Sequence, residues 1–196
     1  MIEGGPRWGA SAVFRHEGEV VERLTAPAAA VPATGHRLHG GSDLHLTFRT
    51  LEPYRLHIPV GDPLRRAYGE ALTEAVEGLP PARMRLKGLS PHPGGVVVHG
   101  HPQDDTADAV RKRFAHALQT RGVRDYERGR VRDRRHVSLV HFAGPLGNPK
   151  ELVAWCDAHA AADLGTTELV TAEIVQYLLT GTGIRPRSLE SARLTR

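Results

Sequence analysis

With 196 residues the chain suits one ordinary domain, or two small lobes sharing a core, and its 40% hydrophobic content excludes global disorder. No apolar run approaches the roughly 20 residues of a membrane helix, and MIEGGPRWGASAVF lacks the basic start and long apolar stretch of a signal peptide. The single cysteine, Cys156, excludes an internal disulfide and leads to the expectation of a cytoplasmic protein, while 26 Lys+Arg against 22 Asp+Glu leave a net charge of only +4.

In chain order, 7–15 (RWGASAVFR) reads as a first strand. Residues 19–33 begin as a short helix that should dissolve at Pro27 and Pro32. The stretch 43–52, DLHLTFRTLE, alternates as a strand and stops at Pro53. Over 62–79, Leu64, Ala67, Tyr68, Ala71, Leu72, Ala75 and Val76 form one helical stripe, with Asp62 as N-cap, Pro63 at the first helical position and Gly78 as the stop. ARMRLKGL (82–89) and GGVVVHGH (94–101) read as strands joined by a turn.

The second half repeats this outline. Residues 105–123 form an amphipathic helix on Ala109, Val110, Phe114, Ala117 and Leu118. HVSLVHFAG follows as a strand, 148–161 as a capped helix with Pro149 first, 167–180 as a strand candidate and 187–195 as a closing strand. Helices and strands interleave in two halves of similar outline with no long linker, which points to two related lobes within one unit over 1–196.

Two of these strands carry a histidine followed two places later by a hydroxyl: His45 and Thr47 in HLTF, His136 and Ser138 in HVSL. Residues two apart on a strand share a face, so each strand presents an imidazole and a hydroxyl together while Leu46, Phe48, Val137 and Leu139 anchor the other side. With 12 histidines present, the placement of these pairs at matching points of the two halves carries more weight than their number. Two imidazoles flanking a phosphodiester can divide proton transfer, one taking a proton from water and the other protonating the departing oxygen. Thr47 and Ser138 would hold the non-bridging oxygens, and Arg49, Arg134 or Arg135 would offset developing charge. Both proton transfers are then handled without a metal ion or cofactor.

These strands resemble the paired H-x-T/S-x motifs of the 2H phosphoesterase superfamily, which includes bacterial RNA 2′,3′-cyclic phosphodiesterases, also called 2′-5′ RNA ligases. The resemblance spans roughly 5–195 in element order and includes the hairpin-like stretch LKGLS…GGVVVHG. It implies a bilobal, pseudo-two-fold α+β fold in which two antiparallel sheets form a central cleft, with helices packed outside. It also implies catalytic roles for His45 and His136, phosphate-binding roles for Thr47 and Ser138, and a cyclic phosphodiester as substrate, either the 2′,3′-cyclic end of RNA or a small cyclic nucleotide. Which histidine is acid and which base stays open, as does the reverse, ligating reaction. Residues 16–42 match nothing.

Other readings compete. The run RDYERGRVRDRR (124–135) is compatible with a non-catalytic RNA-binding module on the same scaffold, or with a solvated loop; the modest charge is compatible with a metabolic enzyme acting on another small phosphate or ester. His36, His39, Asp43 and His45, or His92, His99 and His101, could ligate a metal, although neither set has a recognised spacing. His141, an odd number of positions from His136, should face away from the pocket. Cys156 reads as structural. No membrane or obligate protein partner is implied.

Overall fold

The computed structural model describes residues 8–32, 35–127, 134–180 and 183–195. Its strands are β1 (Trp8–Arg15), β2 (Arg37–Leu38), β3 (His45–Pro53), β4 (Ala82–His92), β5 (Gly95–Pro102), β6 (His136–His141), β7 (Asp163–Leu169), β8 (Thr171–Thr180) and β9 (Gly183–Arg193). The helices are α1 (Glu19–Ala30), α2 (Pro63–Val76), α3 (Thr106–Thr120) and α4 (Pro149–Ala158), and a 3-10 turn, Gly41–Asp43, leads into β3.

Local chemistry sets the helix starts. The Asp62 side chain accepts from the N–H groups of Leu64 and Arg65 at 2.9 and 3.0 Å, with Pro63 in the first turn. Asn148 does the same for Glu151 at 3.2 Å ahead of Pro149. Two segments depart from the sequence expectation. Helix α1 runs through Pro27 to Ala30, because a proline in the last turn removes only one backbone bond while Val20, Leu24 and Ala28 stay buried. The candidate strand at 167–180 is two strands, β7 and β8, divided at Val170.

The fold is α+β, with the strands in one curled antiparallel sheet ordered β7-β4-β5-β6-β3-β1-β8-β9 and β2 paired to β6. Its two four-stranded halves meet where β3 pairs with β6 through Leu46 and Val137. Leu46, Val137, Phe14, Phe48, Val96 and Val98 belong to the core with Tyr68 and Leu72 of α2 and Val110 and Phe114 of α3. Phe48 meets Phe114 edge-on at 5.7 Å, and the four-residue spacing of the helix apolar positions keeps one face of each helix on the sheet.

Each central strand carries one extra residue just past its motif. On β3, Thr47 pairs with Val13 but Arg49 with Ala12, so Phe48 is a bulge. On β6, Ser138 pairs with Val97 but Val140 with Val96, so Leu139 is a bulge. An inserted residue reverses the side-chain parity beyond it, and both functional predictions made for positions past the motifs change as a result.

Candidate functional site

The Leu46–Val137 pair fixes the geometry of the motifs. One step either way in an antiparallel ladder puts His45 across from Ser138 and Thr47 across from His136, all on the face opposite the core. Directly opposed side chains have Cβ atoms about 4.5–5.5 Å apart and diagonal ones about 7–8 Å. The two imidazoles therefore occupy one diagonal of a quadrilateral and the two hydroxyls the other. Among the described residues neither hydroxyl has a hydrogen-bond partner, and both side chains are half-buried.

His45 is held at both nitrogens. Its Nδ1–H donates to the Asp43 carbonyl at 2.7 Å, and because a carbonyl only accepts, the proton of the neutral ring sits on Nδ1. Nε2 accepts from the Tyr177 hydroxyl at 3.0 Å. Burial pushes the His45 pKa down to about 4, the Asp43 carbonyl pulling upward against it while Arg15, His141 and His16 depress it further. At neutral pH the ring is uncharged, with its Nε2 lone pair turned to the Tyr177 hydroxyl. Asp43 owes its position to the 3-10 turn, and Tyr177 to the β8–β9 hairpin, whose Pro186 carbonyl also accepts from Arg15 at 3.4 Å.

His136 is flanked by histidines. His99 is its partner on β5, hydrogen-bonded through Nε2 to the Ser90 hydroxyl at 2.8 Å. The His92 ring lies 5.6 Å from the His136 ring at 32°. His92 also lines an apolar cleft of about 560 Å³ bounded by Pro93, Phe142, Pro145, Leu146 and Val153.

The arginines divide. Arg49, expected beside His45 and Thr47, is turned to the core side by the Phe48 bulge and ion-paired with Asp125 at 2.6 Å, each side chain 8% exposed. Arg135 points to α3 and pairs with Asp108. Arg134 is exposed, and its charge lowers the pKa of His99 after burial and His101. Of the basic run, 128–133 lie outside the described residues, while Asp125 holds Arg49 and Glu127 accepts from the Thr50 N–H at 2.9 Å.

His141 does not face away as parity predicted. The Leu139 bulge puts it opposite Gly95, on the face of Val97, His99, Ser138 and His136. The suggested metal ligands are engaged elsewhere: His36 accepts from the Ala143 N–H, His39 bonds to His141, and His101 to the Lys87 carbonyl. Sequence reasoning missed Tyr177 and singled out His39 and His92 only as metal-ligand candidates; TAEIVQYLLT reads as a strand but gives no sign of the reach of Tyr177 to His45.

No protein-family model and no curated protein matches the chain. Solved structures do share its fold over nearly the whole length. TT0787 of Thermus thermophilus is 17% identical with a TM-score of 0.69, covering 95% of this chain and 97% of that one. E. coli LigT complexed with 3'-AMP is 13% identical with a TM-score of 0.63, covering 98% and 100%. A phosphoesterase crystal structure is 13% identical with a TM-score of 0.59, covering 96% and 99%. The fold is that of these proteins. No helix among the described residues is long and apolar enough to cross a membrane.

Proposed function

We propose that the chain is a metal-independent phosphoesterase of the 2H type that hydrolyses a cyclic phosphodiester, the 2′,3′-cyclic phosphate of an RNA end or of a nucleotide. The observation that supports this reading is the Leu46–Val137 register, by which the two motif histidines and two motif hydroxyls lie on neighbouring positions of one sheet face. The shared fold with a phosphoesterase and with LigT, a protein crystallised with 3'-AMP, supports the same substrate class.

In this mechanism His45 is the base, since its Nδ1 proton is fixed on Asp43 and its Nε2 lone pair is available once Tyr177 yields. Water attacks phosphorus and gives its proton to Nε2 of His45. The bond from phosphorus to one ribose oxygen breaks, and His136 protonates that oxygen. The product is a phosphomonoester, and proton exchange with solvent restores both rings. Thr47 and Ser138 donate to the non-bridging oxygens, where the charge grows. Arg134, exposed on the His99 side, is the arginine left to attract the anion.

Wild-type protein, His45→Ala and His136→Ala should be assayed on 2′,3′-cyclic nucleotides, RNA with a cyclic end and small cyclic phosphodiesters. Turnover should fall by about 10²–10⁴-fold in either variant with unchanged thermal unfolding. Full activity in either one sinks the assignment, and salt-dependent RNA binding without any turnover favours a binding module instead.

A further inference from the structure

At His141 the backbone does something that costs regularity. The Leu139 bulge returns this histidine to the motif face, where its Nδ1 meets Nε2 of His39, the rings standing nearly perpendicular with centroids 4.6 Å apart. His39 is 5% exposed, and its own N–H donates to the carbonyl of the bulge residue, Leu139, at 2.8 Å. Strand β2 then pairs Arg37 with His141 and Leu38 with Val140. Bulge, short strand and imidazole pair form one hydrogen-bonded unit.

Burial lowers the pKa of His39 to about 4, with His45 adding to the effect, and that of His141 to about 3, with His39, His92 and His136 adding. Both rings are therefore neutral at pH 7, and one proton lies between them. The remaining nitrogen of His141, Nε2, has no hydrogen-bond partner among the described residues, and the residue is half-buried. Burying a polar ring is unfavourable unless its nitrogens are used. One end of His141 is held by His39, and the other is unengaged among the described residues.

We propose that His141 is a further substrate contact: His39 donates from Nε2 to Nδ1 of His141, so that His141 carries its own proton on Nε2 and offers it to a non-bridging phosphate oxygen. His39 is then a positioning residue that sets both the tautomer and the angle of the donor. The inference rests on the phosphoesterase reading and deepens it. With Arg49 and Arg135 held by carboxylates, neutral imidazole and hydroxyl donors recognise the anion, an arrangement that fits one phosphate group better than a run of them.

The test uses protein labelled with ¹⁵N at histidine, titrated with inorganic phosphate and followed through the ring nitrogens. In the free protein the Nε2 of His141 should be protonated, and phosphate should shift that resonance. His141→Ala should weaken phosphate binding and raise KM about 10- to 100-fold, the range for a hydrogen bond to a charged group, with kcat changed less. His141→Gln, which keeps a side-chain N–H donor, should recover part of the loss. His39→Ala should raise KM like His141→Ala and also scramble the His141 tautomer, which a purely structural role would not do. An unprotonated Nε2 in the free wild type, or wild-type phosphate affinity in both His141 variants, overturns the proposal, and the tautomer measurement decides even if His141→Ala does not fold. Because phosphate binding needs no turnover, loss of the phosphoesterase reading would show separately, as undiminished activity in His45→Ala or His136→Ala.

Discussion

Leu46 stands opposite Val137 where β3 meets β6, and each is the middle residue of an H-x-T/S triplet. The local two-fold of the two halves therefore passes through the one place where both motifs touch. The bulges obey the same relation, since Phe48 and Leu139 each lie three residues past the motif histidine. Beyond the bulge the equivalent positions behave alike: Arg49 and Val140, four past the motif histidine, turn to the core side, while Thr50 and His141, five past it, return to the motif face.

The core-side placement of Arg49 separates it experimentally from Arg134. Arg49→Met removes the guanidinium that Asp125 pairs with inside the fold, and removing one member of a buried ion pair costs about 3–5 kcal/mol. The melting temperature should fall steeply while KM of the folded fraction stays near wild type. Arg134→Ala should do the reverse, raising KM with little change in melting. A stable Arg49→Met protein with a raised KM would return Arg49 to the site.

Gly95 sits opposite His141, and a Cβ there would lie 1.8 Å from the Val140 carbonyl oxygen. No rotamer relieves a clash with backbone, so Gly95→Ala must open the β5–β6 pairing beside the bulge. A loss of about 2 kcal/mol or more is expected, equivalent to roughly 4–8 °C in melting temperature for a chain of this size. Gly94→Ala is the control, since its nearest contact would be the His92 Nδ1 at 3.7 Å. Equal melting of the two variants would refute the close approach.

Much of this was legible in the sequence because it is written in local chemistry. Asp62 with Pro63 starts α2, Asn148 with Pro149 starts α4, and strict alternation at 82–89 marks β4. The two H-x-T/S strands were visible for the same reason, since period two survives within three residues. Parity failed beyond that, because neither Phe48 nor Leu139 signals an inserted residue: neither bulge holds a glycine, and each is an apolar side chain satisfied by the core. The placement of Arg49 in the site and of His141 away from it were the two consequences. Tyr177 and His39 could not be found locally either, lying 132 and 102 residues from the histidines they contact.

Tyr177→Phe removes the hydroxyl that donates to Nε2 of His45 but keeps the ring, whose centroid lies 5.6 Å from that of the histidine. With one of its two tethers gone, His45 can rotate about the remaining bond to Asp43. We expect kcat to fall about fivefold, in line with about 1 kcal/mol for a net hydrogen bond, with KM little altered and unfolding unchanged. An unchanged kcat would show that the Asp43 carbonyl alone orients the base.

Acid should destabilise the fold in a window set by its histidines. Burial holds His16 and His45 at about 4, like His39, and His141 at about 3, all below the ordinary 6.5. Between those values the unfolded chain takes up protons that the folded chain refuses. Stability is thus at its full level above about pH 6.5 and declines as pH falls toward 4. Asp163, held at about 2 chiefly by Arg85, makes its loss only below the ordinary carboxylate range, so the two effects separate along the pH axis. His16 isolates one histidine's share: it is 4% exposed, and neither ring nitrogen has a hydrogen-bond partner among the described residues. Its replacement by leucine removes two unsatisfied polar atoms and one refused proton. His16→Leu should melt higher at pH 7, by the equivalent of about 1–3 kcal/mol. It should also lose stability more slowly between pH 6.5 and 4, by up to about 1.4 kcal/mol per pH unit. Thermal unfolding of both proteins at pH 7.5, 6, 5 and 4.5 checks this, and parallel curves would mean that His16 is not the neutral, buried group these contacts describe.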